Sequence, residues 1–220
     1  MKRKRTRKGA AEGPLNWPGD PEAVTAGDID FEALAHVLAN TCRNGGRCRR
    51  YPSVAAHAAI VSEEVEALGG LAEEDRRTLA LHALLADAPS AWLRGRMPES
   101  QRAAERAGRL AARIDAAVRE AACLDPVLDE ERAELLRFVT RMAAASERRD
   151  VMEDALADAG VAFPPLTRRI RPMPPEKAAE AWLARFRALA GDEGKRRNHT
   201  ESNSATQGKS GSEGTDAAQG

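Results

Sequence analysis

Ser53-Val54-Ala55-Ala56-His57-Ala58-Ala59-Ile60-Val61-Ser62-Glu63-Glu64-Val65-Glu66-Ala67-Leu68-Gly69-Gly70 spells out a helix with both ends marked. Ser53 can cap its start, Val54, Ala58, Val61, Val65 and Leu68 recur at spacings of three and four, and the paired glycines stop it. A single apolar stripe results, and His57 lies on it between Val54 and Val61. The next helix is predicted from Glu73 to about Ala88 and is apolar nearly all round from Leu79 to Leu85, which makes it the expected buried centre of the fold. Pro89 lies near its end.

The same punctuation recurs on both sides. Asp28 or Asp30 can cap an earlier helix containing Phe31, Leu34, Ala35 and Leu38, with Gly45-Gly46 beyond it as the stop and His36 read as a core residue. Pro98 and Ser100 open a long amphipathic helix with Ala103, Ala107, Leu110, Ile114, Ala117 and Ala121 on one side, ended by Asp125-Pro126. Another starts near Asp129 and is expected to turn Leu135, Leu136, Phe138, Val139 and Met142 inward; the helical run after it ends at Gly160 and Pro164-Pro165. A last helix follows Pro174-Pro175 with Ala178, Trp182, Phe186 and Leu189 on one face. No alternating strand pattern of useful length occurs, so the expected class is all-α, with seven or so helices.

Composition agrees. The 220 residues are 42% hydrophobic but only 4% aromatic, so alanine and leucine, strong helix formers, supply most of the apolar count. The chain is long enough for one domain with a real core. Lys+Arg and Asp+Glu both number 34, which removes any overall electrostatic preference for nucleic acid or anionic lipid. Charged residues interrupt every apolar stretch before the roughly 18 residues a membrane span requires, so no membrane association is expected. Cys42, Cys48 and Cys123 are sparse and odd in number and follow no secretory signal, which fits reduced, ordinary thiols and a cytoplasmic location.

Residues 1–14 carry Lys2, Arg3, Lys4, Arg5, Arg7 and Lys8 without apolar periodicity and read as a disordered basic arm. Residues 191–220 are mostly Gly, Ser, Thr, Asn and Gln with scattered charge and read as a disordered polar tail. The folded domain is expected over residues 15–190. The arm could contact nucleic acid through residues 1–13, against the plainer reading of a solvated tail.

Cys42-Arg43-Asn44-Gly45-Gly46 followed by Arg50-Tyr51-Pro52-Ser53-Val54-Ala55-Ala56-His57 resembles a motif of HD-domain phosphohydrolases, in the bacterial and phage group related to the 5′-deoxynucleotidases. In that group an Arg-aromatic-Asn/Gly-Gly loop leads into Ser-Val-Ala-Glu-His. His82-Ala83-Leu84-Leu85-Ala86-Asp87-Ala88-Pro89-Ser90-Ala91-Trp92-Leu93 is similar to the group's Ala-Leu-Leu-His-Asp-Ala-x-Glu-Ala-Tyr-Leu block. Asp30 to His36 resembles the entry helix, and Glu147-Arg148-Arg149-Asp150-Val151-Met152, Ile170-Arg171-Pro172 and Trp182 to Phe186 resemble closing segments. The resemblance spans about Asp20 to Leu189 and implies an HD-domain helical bundle.

It also implies a divalent metal held by one His, an adjacent His-Asp pair and a later Asp, which lowers the pKa of a bound water and polarises a phosphate. His57 fills the first place and Asp87 the Asp of the pair. Ala86 stands where the paired His belongs, Thr140 where the later Asp is expected, and Ser90 where the group has a Glu. One imidazole and one carboxylate make a poor divalent site. His82, one turn or about 5.4 Å before Ala86, is a candidate substitute ligand. His57 and Asp87 could instead satisfy each other by a hydrogen bond, because a buried carboxylate needs a partner. Arg43 resembles the family's phosphate-binding arginine, suited to an anionic oxygen fork, or is simply a solvated surface arginine.

The expectation is an HD-domain phosphohydrolase-like protein with metal-dependent catalysis lost or impaired and a pocket near His57, Asp87 and Arg43 for a nucleotide or other phosphorylated small molecule. No cofactor is expected; a bound metal would be Mn, Co, Fe or Zn. The alternatives are an active nucleotide phosphohydrolase with a metal displaced onto His57, His82 and Asp87, and a helical interaction protein with no small-molecule role. The resemblance also implies a possible homodimer.

Overall fold

The computed structural model describes residues 22–93, 101–125, 127–152 and 163–191. The basic arm, the polar tail with His199, the Pro98 to Ser100 opening, Pro126 and Gly160 lie outside the described residues. Seven α-helices occur among the described residues: α1 Phe31–Ala39, α2 Val54–Glu66, α3 Glu73–Leu85, α4 Ser90–Leu93, α5 Gln101–Ala121, α6 Glu130–Val151 and α7 Pro175–Leu189. Extended pairing among these residues is confined to isolated bridges between Cys42 and Ser53 and between Cys48 and Met152. The class is all-α. No helix among the described residues is long and apolar enough to cross a membrane.

The helix starts follow the capping chemistry in the sequence. Asp30 accepts from the amides of Glu32 and Ala33 at 2.8 and 3.0 Å, Ser53 Oγ accepts from Ala56 at 3.1 Å, and Asp129 accepts from Arg132 at 2.8 Å. Helix ends are less faithful. α1 stops at Ala39, well before Gly45 and Gly46, which instead form a 3-10 turn with Asn44. α3 ends at Leu85, three residues short of the predicted Ala88, because the chain tightens there ahead of Pro89.

α2 and α3 pack together at the centre, and α7 closes over α1, α2 and α3. The predicted stripes form the core: Val54, Val61, Val65, Leu79, Leu84, Leu85, Ile114, Trp182 and Phe186 are all buried. Phe186 stacks on Phe31 with centroids 4.0 Å apart, and Trp182 Nε1 donates to the Leu84 carbonyl at 3.3 Å, which ties α7 to both neighbours. Ser62 Oγ donates to the Ala80 carbonyl at 2.7 Å and accepts from Arg185 Nε at 2.7 Å, so the polar group between α2 and α3 is satisfied from α7.

Two expected core residues are at the surface. His36 is exposed, because it faces away from the buried Leu34, Ala35 and Leu38, and it lies beside Asn40. Phe138 is 45% exposed; α6 buries the stripe Val139, Ala143 and Ser146, and Phe138 falls beside it, edge-on to Phe163. Asp150, at the end of the same helix, gathers Arg149, Arg169 and the Ile170 amide, which fastens the segment before α7. Burial pushes its carboxyl up, but the bonds from Arg149, Ile170 and Arg169 outweigh this and hold it far below the usual range.

Candidate functional site

The loop from Asn40 to Ser53 is fastened at both ends. The Arg43 amide donates to Pro52 at 2.8 Å, that of Val54 to Thr41 at 3.0 Å, and that of Arg49 to Val151 at 2.8 Å. Asn44, Gly45 and Gly46 have φ of 55, 61 and 80°, and this left-handed run, which glycine adopts without strain, reverses the chain directly after Arg43. The reversal projects Arg43 inward between the start of α2, the end of α3 and the last turns of α6.

There Arg43 Nη1 donates to Asp87 Oδ2 at 3.1 Å and Arg43 Nε to Glu147 Oε2 at 3.0 Å. The other Glu147 oxygen, Oε1, accepts from His57 Nδ1 at 2.9 Å. The side chains of His57 and Glu147 are 2 and 4% exposed, that of Arg43 15%, and that of Asp87 40%. The cluster is therefore closed at its inner end and open to solvent at Asp87. Burial pushes the Glu147 carboxyl up, yet the His57 hydrogen bond and the Arg43 charge bring it below its ordinary value, so it is ionised at neutral pH and can only accept. His57 Nδ1 thus supplies the proton of this hydrogen bond.

His57, Asp87 and Arg43 are brought together as the sequence indicates, but their pairing differs. The expected His57–Asp87 hydrogen bond is replaced by His57–Glu147, with Arg43 standing between the two carboxylates. Asp87 needs no burial argument, since the helix ends before it and leaves it half-exposed. Arg43 is no solvated surface arginine. Glu147 is the residue that sequence reasoning missed. Its signal was available, because Val139, Ala143 and Ser146 mark the buried face of α6 and a carboxylate on that face requires a partner.

His82 belongs elsewhere. It is 1% exposed on α3, and its Nδ1 accepts a close hydrogen bond from Arg119 Nη1, while Arg119 Nε donates to Asp115 at 2.8 Å. Burial first, and then the Arg119 charge, lower its pKa from 6.5 to about 4, and Asp125 pulls weakly the other way. An unfolded chain binds a proton at this histidine below pH 6.5, whereas the folded one resists until about 4. Stability should therefore fall as pH drops from 6.5 towards 4, and His82→Gln should flatten that part of a urea-midpoint against pH profile. An unchanged slope in the variant would contradict this.

Ala86 is exposed beside Asp87, and Thr140 turns its hydroxyl onto the Leu136 carbonyl at 2.8 Å. Ser90 Oγ is out of solvent and without a hydrogen-bond partner among the described residues. Among those residues no group of three or more His, Cys, Asp or Glu side chains is placed to hold a metal ion. The donor set does not fit a tight divalent centre, because both carboxylates near His57 are engaged by a guanidinium whose charge would face the cation. What the arrangement can do is present Arg43, preorganised from within by Glu147, to an anion arriving at the Asp87 opening. A separate cleft of about 630 Å³, lined by Glu73, Glu74, Arg77, Leu81, Cys123 and Leu124 among others, lies at the opposite end of α3 and takes no part in the cluster.

No protein-family model matches the chain. The chain is similar to an uncharacterized protein of Escherichia coli (strain K12), YfdR, at 28% identity over 130 residues, which cover 59% of this chain and 65% of that protein. The chain thus spans just under two thirds of the length of this curated relative.

Proposed function

We propose that the protein is a phosphohydrolase-like helical module of the HD type that binds a nucleotide or another phosphorylated small molecule at Arg43, with metal-dependent hydrolysis lost or impaired. The observation that carries this reading is the Arg43 bridge: one edge of the guanidinium is anchored on the buried Glu147, the other rests on the half-exposed Asp87. An incoming phosphate displaces Asp87 and keeps the inner anchor, so Asp87 acts as a stand-in anion. The resemblance of the loop and of both helix blocks to HD phosphohydrolases supports the choice of a phosphorylated ligand over a carboxylate.

The rival reading, a hydrolase with its metal displaced onto His57, His82 and Asp87, has less support, because His82 Nδ1 faces the Arg119 guanidinium. The interaction-protein reading rests on the basic arm and the polar tail, of which residues 1–14 and 192–220 lie outside the described residues.

One substitution separates the first two readings. Asp87→Asn removes the competing anion and should tighten binding of deoxynucleoside monophosphates in calorimetry by about tenfold or more, from a charged hydrogen bond of about 1.5–3 kcal/mol. Arg43→Ala should abolish binding. Stoichiometric Mn, Co, Fe or Zn in the purified protein, with phosphate release that Asp87→Asn destroys, would replace this reading by the hydrolase one.

A further inference from the structure

The Arg43 loop is bracketed by two thiols. Cys42 and Cys48 are both half-buried, and their sulfurs lie 4.0 Å apart. Each is pinned from a different direction: Cys42 bridges to Ser53 at the head of α2, and Cys48 to Met152 at the end of α6. The sulfurs are therefore held in proximity by the tertiary frame as well as by the short chain between them. A disulfide needs about 2.05 Å between sulfurs, so closure takes a further approach of about 2 Å. The intervening turn is open around its glycines; a Cβ built on Gly45 or Gly46 meets nothing within 4 Å. Cys123 is exposed at the other end of the fold, after α5, and borders the cleft by Glu73.

We infer that Cys42 and Cys48 form a redox modification site that closes to an intramolecular disulfide and locks the Arg43 loop. With a small-molecule disulfide such as oxidised glutathione as oxidant, one protein thiolate attacks it and releases one glutathione thiolate. The second protein thiolate then displaces the other from the mixed disulfide. Two protein thiols lose two electrons and two protons in total, and the oxidant becomes two thiols. The bridge encloses Arg43, so closing it restricts the backbone that presents this side chain. The inference is independent of any ligand at Arg43.

The test uses the full chain carrying Cys123→Ser, which removes the exposed thiol. After incubation with oxidised glutathione, intact-mass measurement should show loss of two hydrogens, no alkylatable thiol and no glutathione adduct, and the Arg43 to Arg49 amides should exchange more slowly. Cys42→Ser on the same background should instead retain one glutathione on Cys48, showing that this thiol is reachable and that capture by its neighbour clears it. Stable glutathione adducts on both cysteines, or two thiols that remain alkylatable after oxidation, would overturn the inference.

Discussion

Glu147→Ala should destabilise the protein by about 3–5 kcal/mol, the range for removing one partner from a buried charged pair. The reason is geometric. Glu147 is 3% exposed and its two oxygens serve different residues, His57 Nδ1 and Arg43 Nε. Truncation leaves a buried imidazole N–H unsatisfied and a mostly buried guanidinium with only the half-exposed Asp87. Urea denaturation of the single variants and of Arg43→Ala/Glu147→Ala would test it, and the double variant should cost less than the sum, because removing both partners removes the orphaned charge. Additive losses would mean that the ion cluster is not a unit. The pH dependence gives a second check. Since Glu147 sits below its ordinary value of 4.5 in the fold, its contribution is fully present above pH 4.5 and is lost as pH falls through the lower folded value. Glu147→Gln should lack that acid limb, while the His82 effect, which acts between pH 6.5 and about 4, should persist in it.

Trp182→Ala should cost a similar amount, about 3–5 kcal/mol, for a different reason. Trp182 is fully buried, lies parallel to Phe186 with centroids 5.8 Å apart, and bonds the Leu84 carbonyl. Its removal opens a cavity where α7 covers α3, only a few residues from the turn that carries Asp87. Trp182→Phe, which fills most of the volume and forfeits only the hydrogen bond, should lose much less. Equal losses in the two variants would show that the indole hydrogen bond, not packing, holds α7 in place.

Much of this was legible in order. The all-α class, the caps at Asp30, Ser53 and Asp129, the buried run from Leu79 to Leu85 and the Trp182–Phe186 face all follow from local chemistry, since capping and helical periodicity are properties of neighbours within a few residues. The same periodicity misjudged Phe138 and His36, because it says which residues share a face but not how wide a stripe the partner helices cover.

The site divides along the same line. By itself the sequence determined the loop and the two helical segments that carry Arg43, His57 and Asp87, and its resemblance to HD phosphohydrolases implied that the three belong near one another. Only the tertiary structure decided who pairs with whom. Glu147 lies 90 residues beyond His57 and 104 beyond Arg43, and its hold on both is set by where α6 crosses α2. His82 likewise shares a helix with the segment leading to Asp87, yet its ring is claimed by Arg119 from α5. Hydrogen bonds act over about 3 Å, and the position of one helix against another to that precision comes from the packing of the whole core, which no short stretch of residues encodes.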